Sequence, residues 1–307
     1  MARPMDHGEL APTERRLDAS LDLDLLPTVD VLRLLNEQDR VAVEAVSAAL
    51  PVLAELVERA SERFRAGGRI HYFGAGTSGR LAVLDAAELL PTFNLPADRV
   101  IAHMAGGGEA LLRAVENAED SAEDGAAAAD GLGPDDVAIG LTASGGTPYV
   151  GGALDRARER GALTALVSSN PAAPLAVAAE LHVCLDTGPE VLTGSTRLKA
   201  GTAEKLVLNG FSTALMVAAG RTWSNLMVSL VATNEKLRGR TVRILREATG
   251  LDEAEAERLL AETGGDLKAA IVACLGEVAP DRAAAALDAH EGSVRSALAD
   301  LSGEHAG

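Results

Sequence analysis

The stretch HYFGAGTSGR (residues 71–80) decides how this chain is built. It begins as the apolar run RIHYF, reads as a loop of three glycines and two hydroxyls, and passes into RLAVLDAAELL, whose apolar residues recur at helical spacing. A loop leaving a strand and opening a helix gathers free backbone N–H groups at the positive end of a helix dipole, a setting that suits an anion. The P-loop pattern needs a lysine that this loop lacks. Gly74, Gly76 and Gly79 do fit the G-x-G-x-x-G spacing of a dinucleotide fingerprint, but the acid expected about 20 residues on does not fall at a clear strand end.

Outward from this loop the pattern alternates. RVIAHMAG (99–106), DVAIGLTA (136–143), ALTALVSS and LHVCLDT read as strands, with GEALLRAVENA, PYVGGALDRARERG and a short segment near PLAVAAE as the helices between them. Five short, continuously apolar strands separated by helices predict an α/β fold, a doubly wound five-stranded parallel sheet covered on both faces. In a 2-1-3-4-5 order the first and third strands flank the point where the winding reverses, which is where ligands bind in such sheets. LTASGGTPYV (141–150) leaves the third strand there with Ser144, Gly145 and Thr147. EVLTGSTRLKAGTAEK (190–205) adds Ser195, Thr196, Arg197 and Lys199 at a helix start. With Gly76, Thr77, Ser78 and Gly79, these three stretches point to a small phosphorylated ligand held by hydroxyls and helix ends.

Composition narrows the function classes. The chain has 307 residues, 47% of them apolar but only 2% aromatic, so Ala, Leu and Val must fill the core. Its net charge of −17 argues against nucleic acid as a partner, since that needs a basic footprint. Cys184 and Cys274 sit in separate apolar runs and read as reduced core thiols, and the six histidines show no metal-ligand spacing. No run of about 18 apolar residues and no apolar leader segment occurs. The expectation is a soluble, cytoplasmic protein with no membrane partner.

Three segments are expected: an extended or disordered arm over 1–20, an α/β domain with flanking helices that binds the phosphorylated ligand over 21–249, and a small helical domain over 250–307. Within the second, a helical stretch precedes the first strand and ends at Gly67 and Gly68, with Pro51 kinking or dividing it. Residues 197 to about 248 read as wholly helical. Glu88 lies among Ala, Leu and Phe near Pro91, which should stop its helix, and apolar neighbours would raise its pKa. In a continuous helix Glu88 stands roughly 15 Å from Ser78. So either the helix breaks early, or Glu88 serves a site completed by another subunit. Glu119 lies in an acidic run, RAVENAEDSAED, where periodicity cannot single it out.

GAGTSGRLAVLDAAELLPTF, AVENAEDS, TASGGTPYV, EVLTGSTRLKAGTAEKLVLN and NLMVSLVATNEKLRGR, taken together and in order, resemble the N-acetylmuramic acid 6-phosphate etherases. That family belongs to the sugar isomerase (SIS) domain group. The resemblance implies a homodimer that releases D-lactate from N-acetylmuramate 6-phosphate by elimination and hydration, in peptidoglycan recycling, with no cofactor and no metal. It assigns the two acid–base roles to Glu88 and Glu119, and phosphate and sugar contacts to Ser78, Ser144, Thr147, Thr196 and Arg197. The family usually carries a larger polar residue at the position of Gly146, ASECPPT in place of AAELLPT around Glu88, and an Asn after the Arg in the arm. Other readings are another SIS-domain sugar-phosphate isomerase, or a non-catalytic regulator that senses a sugar phosphate.

Overall fold

A computed structural model of the chain describes residues 10–113, 115–229 and 235–304. Residues 1–9 of the expected arm, and 230–234 within the last of the family-like segments, lie outside the described residues. The described residues fall into two compact units, one within 1–86 and 98–212, the other within 87–97 and 213–307.

Along the chain, α1 (Thr28–Arg65) leads into β1 (Ile70–Gly74), α2 (Gly76–Phe93), β2 (Val100–Met104) and α3 (Ala122–Ala128). Then come β3 (Val137–Leu141), α4 (Pro148–Glu159), β4 (Leu163–Ser168), β5 (Leu181–Cys184) and α5 (Lys199–Ala218). The five strands form one parallel sheet in the order β2-β1-β3-β4-β5, the order expected from the sequence. Every residue of β1, β3 and β4 is buried, which is why these strands read as unbroken apolar runs. Gly74 and Gly79 pack backbone to backbone where β1 turns into α2. A Cβ on Gly74 would stand 2.7 Å from the Gly79 nitrogen, so no larger side chain allows so abrupt a turn.

Of the two outcomes expected at Pro51, division is excluded, because α1 runs unbroken from Thr28 to Arg65. Losing one backbone hydrogen bond is outweighed by burial of Ala49, Leu53 and Leu56 around it. Three further expectations about helices are corrected. Pro91 does not stop α2, which continues to Phe93 and ends at Asn94, whose φ of 50° breaks the helix. GEALLRAVENA is not a helix. It forms short 3-10 turns at Gly107–Leu111 and Ala118–Asp120, and the Arg80 guanidinium takes the carbonyls of Ala110, Leu111 and Arg113 that a helix would have used. Residues 197–248 are not wholly helical either. After α5, Gly220 (φ 67°) and Ser224 (φ 51°) shape a hairpin of β6 (Thr222–Trp223) and β7 (Leu226–Met227) before α6 (Glu235–Thr249). The arm, expected to be extended or disordered, forms 3-10 turns at Pro12–Glu14 and Asp18–Ser20, with Thr13 fully buried.

A second close approach ties α3 to α4. A Cβ on Gly125 would fall 1.9 Å from the Tyr149 carbonyl oxygen, and one on Gly152 would fall 1.9 Å from that of Ala122. The two helices therefore meet backbone to backbone through reciprocal glycines.

In the second unit, α6 is followed by α7 (Glu253–Glu262), α8 (Leu267–Leu275), α9 (Pro280–Ala289) and α10 (Val294–Glu304). Leu245, Ala256, Ile271, Val272, Val294 and Ala297 form its core. Asp252 and Glu255 make a capping box that starts α7, and Asp266 caps α8. Arg221 donates to the carbonyls of Phe93 and Asn94, which fixes the end of α2 within this unit. Among the described residues no helix is long and apolar enough to cross a membrane.

Candidate functional site

Two of the three glycine–hydroxyl stretches leave neighbouring strands side by side, since Gly74 at the end of β1 is paired with Leu141 at the end of β3. At the first, the amides of Gly76, Thr77 and Ser78 precede the earliest hydrogen bond of α2, from Gly79 N to Ala75 O at 3.2 Å. They point out of the helix end as donors without a helical acceptor. Gly76 is exposed, Thr77 half-buried, and Ser78 and Gly79 buried.

Ser78 is held from behind. Its hydroxyl donates to Oε1 of Glu204 on α5 at 2.9 Å, and Glu204 is fully buried. Burial pushes that carboxyl up to about 7, against the pull of the Ser78 hydrogen bond. Seven residues further along α2, Asp85 is buried too. It accepts the Tyr72 hydroxyl at 3.0 Å and the Ser212 hydroxyl at 2.9 Å, and burial raises it to about 6. Sequence reasoning missed both acids.

The second loop is laced by neutral groups. The Thr142 hydroxyl lies 2.7 Å from that of Thr147 and 3.3 Å from that of Ser144. Gly145 N donates to the Thr142 carbonyl, while Asn170 Nδ2 donates to the Ser144 carbonyl at 2.9 Å. Thr147 then starts α4, with Pro148 in the first turn. Thr142 and Asn170 were also missed, being members of strand-like and loop-like runs without a motif of their own.

The third stretch reaches the first through α5. A Cβ on Gly201 would stand 3.4 Å from Thr77 Cγ2 and 3.3 Å from the Thr196 carbonyl oxygen. Ser195 and Thr196 are half-buried and Arg197 is exposed. Lys199 is buried, with its ammonium donating to Gln38 Oε1 of α1 at 2.6 Å. The helix end here is already filled. Glu190, fully buried, accepts the amides of Lys199 at 3.2 Å and Ala200 at 3.0 Å. Burial pushes Glu190 up and Lys199 down from their ordinary values.

Glu119 comes to the first loop and Glu88 stays on its helix. A cavity of about 200 Å³ is lined by Gly76, Arg80 and Met104 on one side and by Glu116, Asn117 and Glu119 on the other. Arg80, through its carbonyl contacts, holds the segment that carries Glu119 against the start of its own helix. Glu119 itself is exposed. Glu88 is exposed as well, so the apolar surroundings expected from its sequence neighbours are not found. Leu89 and Phe93 turn to the buried side of the helix instead. Because α2 is continuous from Gly76 to Phe93, the early helix break is excluded.

A doubly wound parallel sheet of this order, with glycine–hydroxyl loops at its switch point, is the architecture of a SIS domain. The model for the glucokinase regulatory protein N-terminal SIS domain matches residues 52–158. A phosphoheptose isomerase from Francisella tularensis has a similar fold, with a TM-score of 0.50 at 18% identity over 62% of this chain and 98% of that one. The nearer likeness is in sequence. The chain is 57% identical to the N-acetylmuramic acid 6-phosphate etherase of Thermobifida fusca (strain YX), over 86% of this chain and 87% of the relative. It is 49% identical to that of Cronobacter sakazakii (strain ATCC BAA-894), over 96% and 99%. This chain belongs to the N-acetylmuramic acid 6-phosphate etherase family.

Proposed function

We propose that the chain cleaves the D-lactyl ether of N-acetylmuramate 6-phosphate, giving N-acetylglucosamine 6-phosphate and D-lactate. The observation that carries this reading is that Gly76, at the open amide end of α2, lines one cavity with Glu119, in a chain 57% identical to such an etherase. The sugar 6-phosphate sits on the amides of Gly76–Ser78, on the hydroxyls of Thr77, Ser78, Ser144, Thr147, Ser195 and Thr196, and on Arg197. Gly79 and Gly145 let the backbone close on it, and Lys199 supports the third stretch from behind.

In the open-chain sugar the C1 aldehyde acidifies the proton at C2. Glu119 takes that proton, the C3–O bond breaks, and Glu88 protonates the departing lactate oxygen. Glu88, now a carboxylate, activates a water that adds at C3 of the α,β-unsaturated aldehyde, and the proton returns to C2. General acid and base groups suffice for both halves.

Glu88 lies ten residues from Ser78 on one continuous helix, roughly 15 Å away and further than a hexose reaches. The active unit is therefore a homodimer, in which Glu88 serves a site shared with the second copy. Exposed Leu21, Leu25, Val29, Leu32 and Val43 along the arm and α1 offer the apolar surface that such a pairing covers. The phosphorylated substrate and the acidic surface fit a cytoplasmic enzyme of peptidoglycan recycling.

The test is D-lactate release from N-acetylmuramate 6-phosphate, beside a Glu88→Gln control. Stoichiometric lactate from the wild type and almost none from the control is expected. Tight binding of the sugar phosphate without lactate would make the chain a sensor instead. A monomeric variant with full activity would remove the shared site.

A further inference from the structure

Glu204 has no part in the elimination chemistry proposed above, yet it is a buried carboxyl on α5 with one hydrogen-bond partner among the described residues, Ser78 of α2. Ser78 has a single proton. While Glu204 is a carboxylate that proton points backward at Oε1, and the Ser78 lone pairs face the loop. A phosphate oxygen arriving there meets lone pairs, with a buried negative charge behind them. When Glu204 is a carboxylic acid its own O–H donates to Ser78 Oγ, and the Ser78 proton turns outward to the phosphate.

Resting on the phosphate site proposed above, we infer that Glu204 is a positioning residue: it must hold a proton for Ser78 to donate to the sugar phosphate, so ligand binding takes up one proton. The buried titratable groups on these elements are His71 and Tyr72 of β1, Asp85 of α2, which is bonded to Tyr72, and Glu190 with Lys199 at the start of α5. Arg80 and Glu88 of α2 and Lys205 of α5 are half-buried or exposed. Burial raises Glu204 and the Ser78 hydroxyl lowers it, so no charged neighbour among the described residues sets its state.

The test measures binding of N-acetylglucosamine 6-phosphate by calorimetry between pH 6 and 9, in two buffers of different ionisation enthalpy. Above pH 7.5 a phosphate monoester is already a dianion, its second pKa being about 6. Any proton taken up there belongs to the protein. The wild type should take up about one proton at pH 8 and lose affinity about tenfold per pH unit above that. Glu204→Gln, whose amide always donates to Ser78, should take up none and keep one affinity from pH 7 to 9. Ser78→Ala should bind more weakly and also take up none. Equal proton uptake in wild type and Glu204→Gln overturns the inference, as does uptake that survives Ser78→Ala. Failure of the wild type to bind at pH 6 overturns the phosphate reading itself, and this inference with it.

Discussion

The loops after β1 and β3 look alike in sequence and lie side by side, but they are supported by opposite chemistry. GAGTSG is backed by an acid, since Ser78 donates to the buried Glu204. TASGGT is backed by neutral groups, with the Thr142 hydroxyl between Ser144 and Thr147 and the Asn170 amide beneath. A hydroxyl held by a titrating carboxyl changes its donor direction with pH, whereas one held by another hydroxyl does not. On the proposed phosphate site, its two halves therefore respond differently to the same solution.

The largest effect that sharpens this contrast lies at the flank of the first loop. Glu119→Gln should lower kcat by about 10²–10⁴-fold, the usual contribution of an acid–base group, and stop deuterium exchange at C2 of the substrate. Exchange at the wild-type rate would remove Glu119 from the proton transfer and leave the first loop a binding element only.

Next in size is the reciprocal glycine contact below the second loop. Gly152→Ala must push its methyl against the Ala122 carbonyl, and should cost about 3 kcal/mol in urea unfolding. Gly131→Ala, with nothing within 4 Å of the added Cβ, should stay within about 0.5 kcal/mol. A mild Gly152→Ala would mean that α3 and α4 can slide, and that the second loop is less firmly seated than the first.

The buried acids give a third, pH-dependent effect. Asp85 rises from 3.8 to about 6 and Glu204 from 4.5 to about 7 on folding. The folded chain thus keeps protons that the unfolded chain has released. The contribution of these two groups to stability is fully present below about pH 4 and is lost as pH rises, until about 6 for Asp85 and about 7 for Glu204. Asp85→Asn should recover on the order of 2–3 kcal/mol at pH 8 and little at pH 4, read as the unfolding midpoint at both. An equal change at the two pH values would break the assignment.

The smallest effect belongs to the neutral loop. Thr142→Val removes the hydroxyl that laces Ser144 and Thr147, and should raise KM about three- to tenfold. That increase should be the same at pH 6 and pH 8. A pH-dependent increase would erase the distinction between the loops.

Much of this was legible in the sequence, for physical reasons. Strands buried on both faces must be apolar throughout, so β1, β3 and β4 announced themselves, and glycine–hydroxyl loops marked the switch point. The two supporting acids were legible in principle. Glu204 shares a helical stripe with Val207, Leu208 and Phe211, and Asp85 one with Ala82 and Leu89, all buried. A carboxyl on an apolar stripe has to be paired, and that signal was overlooked. The segment after β2 was not legible, because Arg80, some thirty residues earlier, takes its carbonyls. Nor was the exposure of Glu88, since sequence neighbours on a helix point to different sides.

Glu190 carries a consequence for selectivity. Three helices start near the rim of the sheet, and any of them could attract a negatively charged group. Inside the chain, Glu190 acts as a permanent tenant of the α5 end and closes it to visitors. A monophosphate has the α2 end to settle on. On the proposed phosphate site, a bisphosphate would have to carry its second group toward a doorway already held by an acid, and would be disfavoured by occupancy rather than by shape.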